Sequence, residues 1–242
     1  MTDFTLPTEI IDLPSQGKLY PEDHPLAEGK IEMKYMTAKE EDILSNQTYI
    51  QNGTVIDKLL KSLIVTKVDF DDILIGDKNA IMVAARVLGY GPEYKFATIE
   101  GVQEVDLSKI DSKPLHKDLL SATENNFSFD LPTTDNSITF KILTHGDEKK
   151  IERELEGLKK INKDDSPEVS TRLKHIITSI NGDSDPPTVR KFVDKALLAR
   201  DSRALREYIS QIQPDVDLTF SPEGAKYKRS IPISIGFFWP DS

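Results

Sequence analysis

Cysteine is absent from the 242 residues of this chain. A chain without cysteine cannot form disulfide bonds or use a thiolate nucleophile, and it lacks the commonest ligands of structural zinc. The spacing of the histidines places no two of them on one helical face, where they could share a metal ion. We therefore expect no metal site, no cofactor and no histidine catalysis. The four histidines are His24, His116, His145 and His175.

Long apolar runs and an excess of basic residues are also missing. No stretch approaches the roughly 18 to 20 apolar residues that cross a bilayer, and the first residues lack the basic leader of a secretory signal. The formal net charge is −10, which opposes nonspecific binding to nucleic-acid phosphates. We predict a protein that stays in the cytoplasm of the cell that makes it, spans no membrane and binds no nucleic acid.

Patterns typical of phosphate and metal sites are incomplete. The Gly89–Gly91 segment has neither the third glycine nor the Lys-Ser/Thr pair of a phosphate loop. The carboxylates Asp69, Asp71, Asp72 and Asp77 are interrupted by three apolar residues, which breaks the alternation of a calcium loop. We expect Asp77 to cap the following helix, and we expect no catalytic residue. A carboxylate pair for glycoside hydrolysis would meet only in the fold, so the sequence leaves that alternative open.

Apolar periodicity predicts an α+β fold that is mainly helical. Thr37 and Glu40 form a capping-box pattern at a helix start. Residues 31–35 alternate as in a half-buried strand, and residues 127–131 and 138–142 alternate as in a hairpin. Apolar residues between Val169 and Ile180 recur at helical spacing.

These patterns divide the chain into five segments. Residues 1–30, punctuated by proline and glycine, are expected to form an extended arm. A strand and helices follow over 31–92, a β-rich region over 93–144, and a helical region over 145–213. Residues 214–242 are predicted to form a terminal β-hairpin with an aromatic tail.

Both ends of the chain carry apolar side chains that favour contacts with a partner. Apolar anchors spaced along an extended arm can wrap another protein, and clustered aromatics are common at interface hot spots. The alternative is that both ends fold back on their own chain. The candidate partner-binding residues are Phe4, Leu6, Leu13, Leu19, Tyr20, Phe237, Phe238 and Trp239.

Four motifs follow one another in the first third of the chain. They are Leu-Pro-Ser-x-Gly-Lys at 13–18, Met-Thr-Ala-x-Glu-Glu-Asp-Ile-Leu at 36–44, Asn-Gly at 52–53, and Leu-x-Gly-Asp-x-Asn-Ala at 74–80. In this order and spacing they resemble the base plate proteins of T4-type contractile-tailed bacteriophages. The chain departs from that family in lacking a Cys-x-x-Cys pair, which many members carry where this chain has residues 96–108. If those pairs bind a metal in relatives, we expect strand packing to replace the metal here.

The resemblance implies a non-enzymatic protein that takes part in assembling the baseplate hub. Its partners would be other baseplate hub or tail proteins, and it could form an oligomer within the baseplate. Two roles stay open, a structural subunit of the virion tail or an assembly chaperone that leaves. Because hubs of this type include a cell-wall lysozyme, the alternative from another class is a hub-associated peptidoglycan hydrolase.

Overall fold

A computed structural model describes residues 6–99, 101–161, 167–222 and 228–239. Within these ranges the chain has the predicted α+β architecture, in which helices predominate over small antiparallel sheets. The strands are β1 Thr8–Asp12, β2 Lys30–Lys34, β3 Glu93–Thr98, β4 Gly101–Asp106, β5 Phe127–Asp130, β6 Ser137–Phe140, β7 Ile177–Ile180, β8 Thr219–Phe220 and β9 Arg229–Ser230. The helices are α1 Ala38–Leu44, α2 Gln47–Gln51, α3 Val55–Leu63, α4 Ile75–Tyr90, α5 Lys117–Leu120, α6 His145–Ile161, α7 Glu168–Ile176, α8 Pro186–Lys195 and α9 Ala199–Ile212.

The N-terminal segment is held in place by a β-ladder. Strand β1 pairs antiparallel with β2, in a register that sets Thr8 opposite Lys34 and Asp12 opposite Lys30. Residues 13–29 form a compact loop between the two strands, closed by a hydrogen bond from the Leu13 amide to the Gly29 carbonyl at 2.8 Å. The predicted strand at 31–35 is therefore confirmed. Its partner is the segment that we expected to be an extended arm.

A local capping signal places the start of α1 as predicted. The Thr37 amide donates to the Glu40 carboxylate at 3.0 Å, which closes the capping box at the start of α1. Gly53, with φ of +66°, makes the turn between α2 and α3. Helix α3 buries its apolar stripe, and α4 follows over 16 residues. Helix α3 has one buried apolar face, as its periodicity predicts, whereas no residue of α2 is buried.

The central hairpin gains a third strand from the region that we predicted to be helical. Strands β5 and β6 pair as expected, with Phe127 opposite Phe140, and β7 adds to the free edge of β6. The prediction of a helix through Ile180 is wrong, because α7 ends at Ile176 and the chain continues as β7. The residues of β7 are Ile-Thr-Ser-Ile, and β-branched side chains pack well against a neighbouring strand.

One continuous apolar core runs through the five predicted segments. It includes Leu13 in the N-terminal loop, Leu59 in α3, Phe140 in β6, Leu205 in α9 and Phe238 near the end of the chain. Among the described residues, no helix is both long and apolar enough to cross a bilayer. The segments are therefore successive parts of one packed body, and each contributes side chains to the same interior.

Candidate protein-binding site

The structure buries three of the predicted N-terminal anchors inside the chain itself. Leu13, Leu19 and Tyr20 belong to the hydrophobic core, with less than a tenth of each side chain accessible to solvent. They are therefore corrected from partner contacts to core residues, because the β1–β2 ladder brings this loop onto α4. Leu6 stays 45% exposed. Phe4 lies outside the described residues.

The aromatic tail also folds back onto its own chain. A 3-10 turn at Ile235–Phe238 buries both Phe237 and Phe238 completely. The Phe237 ring meets Tyr94 edge-on at a centroid distance of 4.9 Å and Phe238 at 5.2 Å. The prediction that these two rings contact a partner is therefore corrected, since a tight turn lets neighbouring rings enter the core at right angles. Trp239 keeps 39% of its surface exposed.

Two of the family-like motifs meet in a buried polar cluster. The Asp77 carboxylate, which has no exposed surface, accepts hydrogen bonds from the Ser15 amide at 2.9 Å, the Ser15 hydroxyl at 2.7 Å and the Tyr20 hydroxyl at 2.8 Å. Tyr20 in turn accepts a hydrogen bond from the Leu74 amide at 3.0 Å. The expectation that Asp77 caps its own helix is wrong, because its carboxylate anchors the N-terminal loop instead.

Glycines allow this cluster to close. A Cβ atom on Gly76 would lie 1.8 Å from the Pro214 carbonyl oxygen, and one on Gly17 would lie 2.0 Å from the Ala27 carbonyl oxygen. Asn79 ties the same helix to the C-terminal segment, because its amide donates to Asp215 at 2.9 Å. The glycines of both motifs therefore mark close backbone approaches, and no ligand is needed to explain them.

Burial controls the protonation of this cluster. Desolvation raises the pKa of Asp77, although the hydrogen bonds from Ser15 and Tyr20 act in the opposite direction. Burial and the neighbouring Asp77 also raise the pKa of Tyr20. Because both groups are enclosed by the chain, they have no access to a substrate. The cluster joins two segments of the fold.

A second polar cluster surrounds His145 at the start of α6. Its Nε2 atom lies 3.0 Å from Asp57 Oδ2 without the alignment of a hydrogen bond, and its Nδ1 atom lies 3.1 Å from Lys78 Nζ. Lys78 also pairs with Asp57 at 2.8 Å. Although burial opposes it, contact with His145 and Lys78 lowers the pKa of Asp57 to about 2. Asp57 therefore lacks the raised pKa that a general acid for glycoside hydrolysis requires.

The aspartates that we weighed as metal ligands bind separate partners. Asp69 accepts the Asp71 amide at 2.9 Å, and Asp71 pairs with Lys149 at 2.8 Å. Asp72 lies 3.8 Å from His24. In the part of the chain that the structure describes, no group of three or more histidine and carboxylate side chains is placed to hold a metal ion.

The β3–β4 hairpin presents the most exposed apolar side chains in this part of the fold. Ile99, in the turn at the hairpin tip, is 86% exposed, and Val102, near the start of β4, is 72% exposed. Phe96 of this hairpin packs against Phe220 of β8 at a centroid distance of 5.0 Å. This aromatic contact joins the hairpin to the β8–β9 segment.

An open groove of about 570 Å³ lies beside the hairpin tip. It lies between the hairpin and the β8–β9 segment, and most of its wall is apolar. Its lining residues are Phe96, Ala97, Thr98, Ile99, Phe220, Arg229, Ser230 and Pro232. Exposed apolar surface beside a concave wall is typical of protein–protein contact sites. The sequence patterns did not lead us to predict this site. The signal for it was a pair of β-branched residues, Ile99 and Val102, beside Gly101.

None of the family models, curated proteins or solved structures compared with this chain matches it. The resemblance to base plate proteins therefore stays a prediction that rests on the four sequence motifs. The structure adds a physical account of the two motifs at 13–18 and 74–80, which meet at Asp77.

Proposed function

We propose that this protein helps to assemble the baseplate hub of a contractile phage tail by binding other tail proteins and that it catalyses no reaction. The order of the four motifs supports the phage assignment. The observation that carries the binding role is the β3–β4 hairpin, whose tip exposes Ile99 and Val102 beside the open groove. Burying one such side chain in a complex contributes on the order of 1.5 to 3 kcal/mol.

The polar clusters support binding over catalysis. In the cluster around His145, burial opposes ionisation of Asp57, but contacts with lysines and the histidine lower the pKa values of both Asp57 and Asp71. Asp77 has a raised pKa, but it is fully enclosed by the chain. These carboxylates join separate parts of the chain, as expected of ion pairs and hydrogen bonds that stabilise a scaffold. They do not favour the hydrolase alternative.

Site-specific photo-crosslinking tests the proposed binding site. A photoreactive amino acid replaces Ile99, and in a matched control it replaces Gln51, an exposed polar residue at the end of α2. In tail-assembly intermediates from infected cells, we expect the Ile99 probe to crosslink to another tail protein and the Gln51 probe to give no such product. Equal crosslinking from both positions would contradict a binding site at the hairpin.

Disrupting the hairpin tip gives a second test. The double substitution Ile99→Asp with Val102→Asp should leave the melting temperature within a few degrees of the wild type, since surface changes usually cost under about 0.5 kcal/mol. It should remove the crosslinked partner from co-purification. Normal co-purification and normal tail assembly with this variant would refute the site.

A further inference from the structure

A second groove lies between α7, α8 and α9, in the C-terminal half of the chain. It consists of two adjacent depressions, one of about 570 Å³ and one of about 240 Å³. Glu168, Val169 and Leu173 of α7 line both depressions, so these two spaces share one wall. Val169 is 49% exposed although it is apolar. The floor is completed by Val193 and Leu197 in the first depression and by Ile176 and Ile209 in the second.

The length of the groove follows from α9. Ser202 lines the first depression, and Arg206 and Ile209 line the second. At 1.5 Å per residue, Ser202 and Ile209 are separated by about 10 Å along the helix axis. Apolar anchors at positions i, i+4 and i+7 of a bound amphipathic helix span the same distance. An extended strand fits less well, because helices form the walls and satisfy their own backbone hydrogen bonds, so they offer no sheet edge.

Arg206 gives the groove a positive end. Its Nε atom donates to the Ser202 carbonyl of its own helix at 3.3 Å, and no carboxylate among the described residues forms an ion pair with it. By contrast, Arg172 across the groove pairs with Glu148 at 2.6 Å, and Arg203 on the same helix pairs with Glu207 at 2.7 Å. Arg206 also lines a third, polar depression, in which the Asp215 carboxylate pairs with Lys113 at 3.5 Å and not with Arg206. Its guanidinium is therefore placed to receive a carboxylate from another molecule.

We propose that this groove binds an amphipathic helix of another protein, with apolar side chains in the two depressions and an Asp or Glu beside Arg206. The proposal rests on the binding role proposed above and adds the shape and charge of one partner segment. Its test uses purified protein, so it can fail while particle composition still supports a baseplate role. Conversely, a positive result would stand even if the protein were absent from tails.

A displayed peptide library is the probe for this site. Its helical peptides carry leucine at positions i, i+4 and i+7, and all their other positions are randomised. Selection on the wild-type protein is followed by counter-selection on Val169→Asp, which places a charge on the shared wall. Fluorescence anisotropy then compares the selected peptides on the wild type, on Arg206→Glu and on Arg203→Glu. The last variant has the same change of charge three residues away, outside the residues that line the groove.

We expect the selected peptides to be enriched in Asp or Glu beside the leucine face. Their affinity should fall about tenfold or more on Arg206→Glu, since a like charge replaces a charge-assisted contact, and it should be unchanged on Arg203→Glu. Replacing the peptide's acidic residue with lysine should restore binding to Arg206→Glu. Circular dichroism verifies that each variant is folded. If Val169→Asp does not fold, the comparison of peptide affinity between the wild type and Arg206→Glu tests the proposal.

Three results would overturn the proposal. In the first, the library yields no peptide that prefers the wild type over the counter-selected variant. In the second, the selected peptides bind Arg206→Glu as tightly as they bind the wild type. The third is self-association: sedimentation shows a dimer of the wild type that Val169→Asp abolishes, which would assign the groove to a second copy of this chain.

Discussion

Removing the Asp77 carboxylate tests whether the two motifs hold the fold together. In Asp77→Ala, the Ser15 amide, the Ser15 hydroxyl and the Tyr20 hydroxyl all lose their acceptor in a fully buried site. A buried donor without a partner costs about 1 to 3 kcal/mol, and the three losses are not additive because they share one cavity. We expect the free energy of unfolding to fall by about 3 to 5 kcal/mol.

Smaller substitutions in the same cluster show how much each hydrogen bond contributes to the free energy of unfolding. Tyr20→Phe removes one hydrogen bond to Asp77 and leaves the Leu74 amide without its acceptor, so we expect a loss of about 1 to 3 kcal/mol. Because Ser15 and Tyr20 share Asp77, combining Ser15→Ala with Tyr20→Phe should give a loss that differs from the sum of the two single losses. Asp42→Ala, at an exposed position of α1, is the control and should change stability by less than about 0.5 kcal/mol.

Urea unfolding at pH 7, followed by circular dichroism and by the fluorescence of the single tryptophan, measures these differences. The coincidence of the two signals verifies that unfolding is two-state, which is the condition for comparing free energies. If Asp77→Ala lies within about 1 kcal/mol of the wild type, the buried cluster does not hold the loop, and the structural explanation of the motifs fails.

Two further perturbations test a close backbone approach and an ion pair. Gly76→Ala should destabilise the protein by about 2 kcal/mol or more, because its Cβ would overlap the Pro214 carbonyl. Gly157→Ala, which has open space around it in α6, should instead stabilise the protein by about 0.5 to 1 kcal/mol. Thermal unfolding of both variants measures this difference, and equal effects would contradict it. Hydrogen bonding to Arg190 lowers the pKa of Glu154 from 4.5 to about 2, so this pair contributes stability above pH 4.5 that is lost as the pH falls toward 2. Acid titration of the wild type and Glu154→Gln should show a shallower loss of stability in the variant over that range, and superimposable curves would contradict the ion pair.

Sequence patterns predicted elements whose partners are local. The capping box at Thr37 and the alternation of the β5–β6 hairpin depend on residues close in the chain, so each was predictable from spacing alone. The strand β7 was missed because Ile176 and Ile177 fit a helical stripe equally well, and the free edge of β6 decides the outcome. The N-terminal segment was expected to be extended because proline and glycine punctuate it, and its acceptor, Asp77, is 62 residues from Ser15, beyond the reach of local patterns.

The candidate binding residues were less predictable than the fold. Whether an apolar side chain is exposed depends on which other segments pack over it in the tertiary structure. The sequence does not show this packing directly. Leu13 and Phe237 were expected at a partner interface, yet the core encloses both. Ile99 and Val102 lay within the predicted β-rich region but were not singled out; they are exposed because a two-stranded sheet leaves its tip without a covering layer.

Counting the copies of this protein per particle tests the proposed function most directly. Quantitative mass spectrometry would compare purified mature virions with tail-assembly intermediates from infected cells. We predict that the protein occurs in the intermediates, and that virions contain either a fixed low copy number, as for a structural subunit, or none, as for an assembly chaperone. Absence from both the intermediates and the virions would contradict the proposal that it builds the baseplate hub.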